Sequence, residues 1–203
     1  MIKFKYFIFL LIFQTSCSEK VDFIIDPNIT DEVRENISKS IFGEDGSNND
    51  ILIYENNSYV EFVNSDGKTI STFQEPHKMI FKSWYYFEGD TLCIEGSFGL
   101  FGGIGFYAKV INNQATAYHM LASDDFPAYS YTEDGPIIDR LEVPCSENQL
   151  TLSSIPTSTS KEIIYGVTEF TSKEYYSGVS IANLERSNFT KMKIYFKSGY
   201  LNW

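Results

Sequence analysis

The chain has 203 residues and carries 27 acids against 16 basic residues, a formal net charge of −11. That balance sets it against polyanionic partners, nucleic acid and anionic lipid surfaces alike, because both repel it. Aromatics make up 16% of the residues, with fourteen Tyr and seventeen Phe, which argues against disorder and for one sizeable core.

The first sixteen residues bring Lys3 and Lys5, then the apolar run Tyr6 to Phe13, then Gln14, Thr15 and Ser16 ahead of Cys17. This is the order of a secretory signal peptide: positive charge, hydrophobe, small residues. The apolar run is too short for a membrane span, which takes roughly 20 helical residues. Thr15, Ser16 and Cys17 resemble the lipobox of bacterial lipoproteins. The resemblance implies that the Cys17 thiol receives lipid, with palmitate-type acyl chains, and becomes the new N-terminus. It also implies a cell-envelope address on a membrane, the outer membrane on its periplasmic or surface face. Ordinary secretion with cleavage nearby is the alternative, and Gln14 departs from both patterns. Losing Lys3 and Lys5 with the leader takes the net charge to −13 for residues 17–203.

The expected organisation is a signal peptide over 1–16, the lipidated Cys17 with a short tether over 17–20, and a single mainly β domain over 21–203. The first strand-like run, Val21 to Ile25, begins so soon after Cys17 that the body stays within an order of 15 Å of its anchor, at about 3.5 Å per extended residue. Ile29, Val33, Ile37 and Ile41 then recur every four residues, with Asn28 or Thr30 able to cap, Asp31 and Glu32 in the first turn and Gly43 at the end. This spacing predicts one short amphipathic helix.

After the polar loop Gly43 to Asp50, the hydrophobic period changes from about 3.6 to 2. Strands are expected at Ile51–Glu55, Ser58–Val63, Lys68–Phe73, Met79–Phe87, Thr91–Gly96, Ile104–Ile111, Ala115–Leu121, Ile137–Val143, Leu150–Ser153, Glu162–Phe170 and Thr190–Phe196. Hairpin chemistry separates several of them, as at Asn56-Asn57 and Glu88-Gly89-Asp90. The fold class read from this is all-β, an antiparallel β-sandwich with a β-barrel as the alternative, and one short N-terminal helix. Lys191, Lys193 and Lys197 share one face of the last strand, the pattern of an exposed edge.

Chemistry-bearing motifs are weak. The run Gly96 to Gly105 superficially matches a dinucleotide fingerprint, but the residues after it are strand formers where a helix is required, so a bulged or tightly turned strand is the better reading. Asp45, Ser47 and Asn49 echo a calcium loop that fails at Asp50 and Asn56. His77 and His119 have no second ligand at zinc spacing, and Ser180 lacks a following histidine to serve it as a base. Neither a cofactor nor a metal is therefore expected. With Cys17 assigned to lipid, Cys93 and Cys145 permit one disulfide or stand as two separate buried thiols, and their spacing does not choose.

Trp84 and Tyr86 share one strand face, with Tyr85 and Phe87 on the other, which reads as core packing before it reads as a ligand platform. Asp124, Asp125, Glu133 and Asp134 bracket an aromatic loop containing Phe126, Tyr129 and Tyr131. Paired carboxylates could hydrolyse a glycosidic bond if held about 5 to 9 Å apart, and aromatics could stack on sugars. The bland reading is that the acids solvate a long loop which its aromatics pin to the body. The expected function is a non-enzymatic binding or structural module whose partner is an envelope protein or a glycan. A small glycan hydrolase and an acidic inhibitor of the immunity type are the alternatives.

Overall fold

The computed structural model describes residues 22–38, 58–63, 69–71, 81–98, 102–124, 127–180 and 183–202. The signal region, Cys17, the polar loop 43–50, the strand expected at 51–55, His77, Asp125 and Phe126 lie outside the described residues.

In chain order the elements are β1 (Asp22–Ile25), α1 (Ile29–Ser38), β2 (Ser58–Val63), β3 (Thr69–Ser71), β4 (Phe81–Glu88), β5 (Thr91–Phe98) and β6 (Gly102–Ile111). They continue as β7 (Gln114–Ser123), β8 (Tyr129–Ser130), β9 (Arg140–Leu152), β10 (Ile164–Ser172), β11 (Tyr175–Ser180), β12 (Asn183–Asn188) and β13 (Lys191–Tyr200). The protein is all-β with one short helix, as its hydrophobic periods predict.

Strands β4 to β7 form an antiparallel meander, with two-residue turns joining β4 to β5 and β6 to β7. At the β6–β7 turn, Asn112 and Asn113 both take left-handed backbone, φ 51° and 58°. Two consecutive left-handed residues make the turn whose twist matches that of the paired strands, and asparagine tolerates that region better than most side chains. Strand β6 pairs with β5 from Val110 to Ile104 with no break in register, so Gly96 and Gly105 hold regular ladder positions without a bulge, and the connection 99–101 lies outside the described residues. Gly105 has its own reason to be glycine: a Cβ on it would run into the carbonyl oxygen of Gly96.

Strand β9 merges the two strands expected at Ile137–Val143 and Leu150–Ser153 into one that serves two partners. Its first part pairs with β7 as far as Pro144. Proline offers no N–H to the ladder, so the pairing with β7 stops there and the strand continues against β10 from Cys145 onward. One extra residue on β9 opposite Glu169–Thr171 forms a bulge, braced by the Asn148 Nδ2–H to Cys145 carbonyl bond at 2.7 Å.

Strand β13 is similarly shared. It pairs antiparallel with β10 and β2, then runs parallel to β4 at Gly199–Trp84 and Tyr200–Tyr85. The path β1-β9-β7-β6-β5-β4-β13-β2-β3, with β10 bridging β9 and β13, curls the strands around one core. Because only two residue pairs join β13 to β4, the result is a barrel-like sandwich and not a fully laddered barrel. The sheet is mixed, since β1 also pairs parallel to β9. Strand β13 is thus interior to the sheet, which corrects its reading as an edge; the path ends at β1 and β3 instead. The strands β8, β11 and β12 form a small separate sheet that the hydrophobic pattern does not reveal.

Inside, Tyr85, Ile94, Phe106, Phe170, Ile194 and Phe196 alternate with outward residues and are fully buried. Each such side chain contributes roughly 1.5–3 kcal/mol relative to its exposed state. Outside, Ile29, Val33 and Ile37 of α1 pack on Tyr195, with Tyr165 and Val167 alongside. The helix therefore covers part of the outer face of β10 and β13.

Candidate functional site

The chain turns sharply between β1 and α1. Asp26 accepts two hydrogen bonds on Oδ1 from Asn28, from its backbone N–H at 2.9 Å and from Nδ2 at 3.0 Å. Its own N–H donates to the Leu152 carbonyl at 2.9 Å, extending the β1–β9 pairing by one residue. This aspartate-centred turn, with Pro27 at its bend, lifts the chain off the sheet edge and lays α1 back across β10 and β13.

Between β1 and α1 a cleft of about 270 Å³ remains. Its floor is the outer face of the sheet, formed by Gln149 and Thr151 of β9, Val167 and Glu169 of β10, and Lys193 of β13. Ile24 and Asp26 wall one side, Ile29 and Glu32 the other. Register explains the floor: Gln149, Glu169 and Lys193 lie in one cross-strand row, and Thr151 and Val167 lie in the next.

Three carboxylates and one ammonium line the cleft. Lys193 Nζ sits 3.9 Å from Glu169 Oε2, and Lys191 Nζ reaches Glu169 Oε1 at the same distance. These are half-exposed pairs worth little to stability. The hydroxyl of Tyr195, with Glu169 and Glu32, holds the Lys193 ammonium above its ordinary pKa against the opposing pull of burial. Lys193 is therefore a committed cation, and Glu169 is shared between two lysines.

Thr151 is only 5% exposed, lines the floor, and makes no side-chain hydrogen bond among the described residues. A hydroxyl so placed gains a partner only from what enters the cleft. None of the cleft residues stands out in the sequence as a site. The period of 2 assigns Val167 and Glu169 to one face of β10, but only the docking of α1 makes that face a cleft.

The loop singled out from sequence is placed otherwise. Tyr129 belongs to β8 and packs against Leu121, Leu141, Val143 and Tyr175. Tyr131 is half exposed and its hydroxyl donates to the Glu142 carbonyl at 3.0 Å. Both tyrosines pin the segment to the body. Asp124, Glu133 and Asp134 are exposed. Gly135 closes the turn beneath them, its N–H donating to the Thr132 carbonyl at 3.0 Å.

The aromatic strand divides as its alternation predicts, Tyr85 and Phe87 toward the core, Trp84 and Tyr86 outward. The outward hydroxyls are used internally. Tyr86 donates to Glu95 Oε1 at 2.8 Å, and Tyr107 donates to the Cys93 thiol at 3.5 Å beneath Lys109. Burial pushes the pKa of both tyrosines up.

Cys93 and Cys145 are separate buried free thiols, Cys93 beside Tyr107 and Cys145 in the core. Burial pushes the Cys145 thiol up to about 12. His119 is fully buried on β7, and Ser180 ends β11. No group of three or more His, Cys, Asp or Glu among the described residues is placed to hold a metal ion. Among them, too, no helix is long and apolar enough to cross a membrane.

Comparison with family models, with curated proteins and with solved structures finds no match to the chain. The fold and the cleft define it only as a mostly β, barrel-like sandwich with a charged cleft between its first strand and its helix.

Proposed function

We propose that the chain is an envelope lipoprotein, held on a membrane by acyl chains on Cys17, whose β domain is a non-enzymatic binding module. The observation that carries the binding part is the cleft between β1 and α1, a concavity whose floor includes Thr151, a largely buried residue whose hydroxyl has no hydrogen-bond partner among the described residues. The cleft is more polar than most ligand pockets, six of its nine lining residues being polar or charged, which suits a charged or hydrogen-bonding ligand.

The anchor part is supported by the sequence Lys3 to Cys17 and by the start of β1 at Asp22. Two or more acyl chains hold a protein on a bilayer stably, at about 0.8 kcal/mol per buried CH₂. At about 3.5 Å per residue, five residues keep the start of β1 within roughly 18 Å of that anchor. Mass spectrometry of the membrane fraction tests the anchor directly. The expected N-terminal peptide begins at Cys17 and carries acyl mass, and Cys17→Ser abolishes it. A chain that begins elsewhere, unacylated and in the soluble fraction, removes the lipoprotein reading.

A further inference from the structure

We infer that the cleft between β1 and α1 binds a primary alkylammonium group, an amine on an aliphatic stem. The inference deepens the binding-module reading and does not depend on whether Cys17 carries lipid.

Charge decides the sign of the ligand. Glu169 is already shared by Lys191 and Lys193, at 3.9 Å from each. Asp26 and Glu32 remain, one on each wall, so the opening carries a net negative charge. The N-terminus of α1 adds about half a positive charge nearby, which the first-turn acids Asp31 and Glu32 outweigh. An anion entering here meets carboxylates on both sides, and Lys193 is occupied with Glu169.

Shape and polarity decide the rest. Ile24, Ile29 and Val167 offer apolar surface for a stem, and Ile24 is exposed at 43% although it lines the cleft. Thr151 is 5% exposed as a residue, and its hydroxyl, without a partner among the described residues, can accept an N–H. A volume of about 270 Å³ leaves room for an amine of about five carbons and part of its hydration. An ammonium has three donors and no acceptor, which suits a cleft offering two carboxylates and a hydroxyl.

The same chemistry comes from two sources, a free small amine or the lysine side chain of a partner protein. The test is an NMR titration of the full chain in uncharged detergent with pentylammonium, 1-pentanol and pentanoate. Pentylammonium is expected to shift amides of Thr151, Val167 and Ile29 saturably, and the alcohol and the carboxylate are not. Glu32→Gln should weaken the amine about tenfold, and Thr151→Val about threefold. Shifts scattered over the acidic surface, equal binding of pentanol or pentanoate, or unchanged affinity in Glu32→Gln overturn the inference. Between sources, tighter binding of 1,5-diaminopentane assigns a free amine, and tighter binding of N-acetyl-lysine amide assigns a partner's side chain. Failure of the titration leaves acylation at Cys17 standing, and absence of acylation leaves the titration readable.

Discussion

His119 donates its Nδ1–H to the carbonyl oxygen of Gly105 at 3.0 Å, in a core position closed to solvent. Its Nε2 has no partner. Phe170 and Tyr175 flank the ring at 6.1 and 5.8 Å between centroids. Burial keeps the imidazole neutral, and the cross-strand bond from β7 to β6 fixes the tautomer with hydrogen on Nδ1.

Acid should therefore unfold the protein partly through His119. Burial pulls its pKa from 6.5 down to about 4. Below pH 6.5 the unfolded chain takes up a proton that the folded core refuses, so stability is full above that pH and falls as pH drops toward 4. The loss approaches about 3 kcal/mol, at about 1.4 kcal/mol per pH unit, and then levels off. Urea unfolding between pH 7.5 and 4, compared with His119→Gln, measures it. The variant should show a shallower decline over that window, and parallel curves would refute the assignment.

Gly105→Ala should destabilise by about 1–3 kcal/mol, the usual range for overpacking. The added methyl meets the Gly96 carbonyl across the β5–β6 ladder, and neither strand can move without breaking register. Gly199→Ala serves as the control, since a Cβ there has nothing within 4 Å and should change stability by less than about 0.5 kcal/mol. Thermal melts of the two variants separate the outcomes.

Helix α1 is held by its buried stripe more than by its charged contact. Ile37→Ala should cost about 2–5 kcal/mol, the range for emptying an aliphatic core position. Arg34 bonds to the Tyr165 hydroxyl at 3.2 Å and lies over its ring at 5.0 Å, yet it is exposed. Arg34→Ala should cost at most about 1 kcal/mol. Equal losses in denaturant titrations would show that the arginine pins the helix. Because α1 forms one wall of the cleft, Ile37→Ala should also weaken whatever the cleft binds.

The two interior thiols should be inert until the chain unfolds. Burial raises both pKa values, that of Cys145 to about 12, so little thiolate forms at neutral pH. A thiol reagent should label neither Cys93 nor Cys145 in the native protein and both in denaturant without reductant. Labelling of neither under denaturing conditions would mean that the two are bridged.

Local signals carried the outline well. Alternation alone separates Tyr85 from Trp84 and Met192 from Lys193, because side chains along a strand must point to opposite faces. The four-residue recurrence of Ile29, Val33 and Ile37 marks the buried stripe of α1 for the same kind of reason. Short strands such as β8 escaped, since two residues show no period and their pairing partner lies far along the chain. The lysine face of β13 misled because a face rich in charge looks the same whether its strand is an edge or, as here, lies between β10 and β2.

By itself, then, the sequence determined the fold class, the inward and outward faces, the acidic balance and the lipobox-like start at Cys17, since each is a property of neighbouring residues. Tertiary structure decided which strands share β9 and β13, where α1 docks, and hence that Asp26, Glu32, Thr151 and Lys193 line one cleft. Those residues come from a turn, a helix and two strands, and what brings them together is the burial of Val33 and Ile37 against Tyr195, a contact that no local pattern encodes.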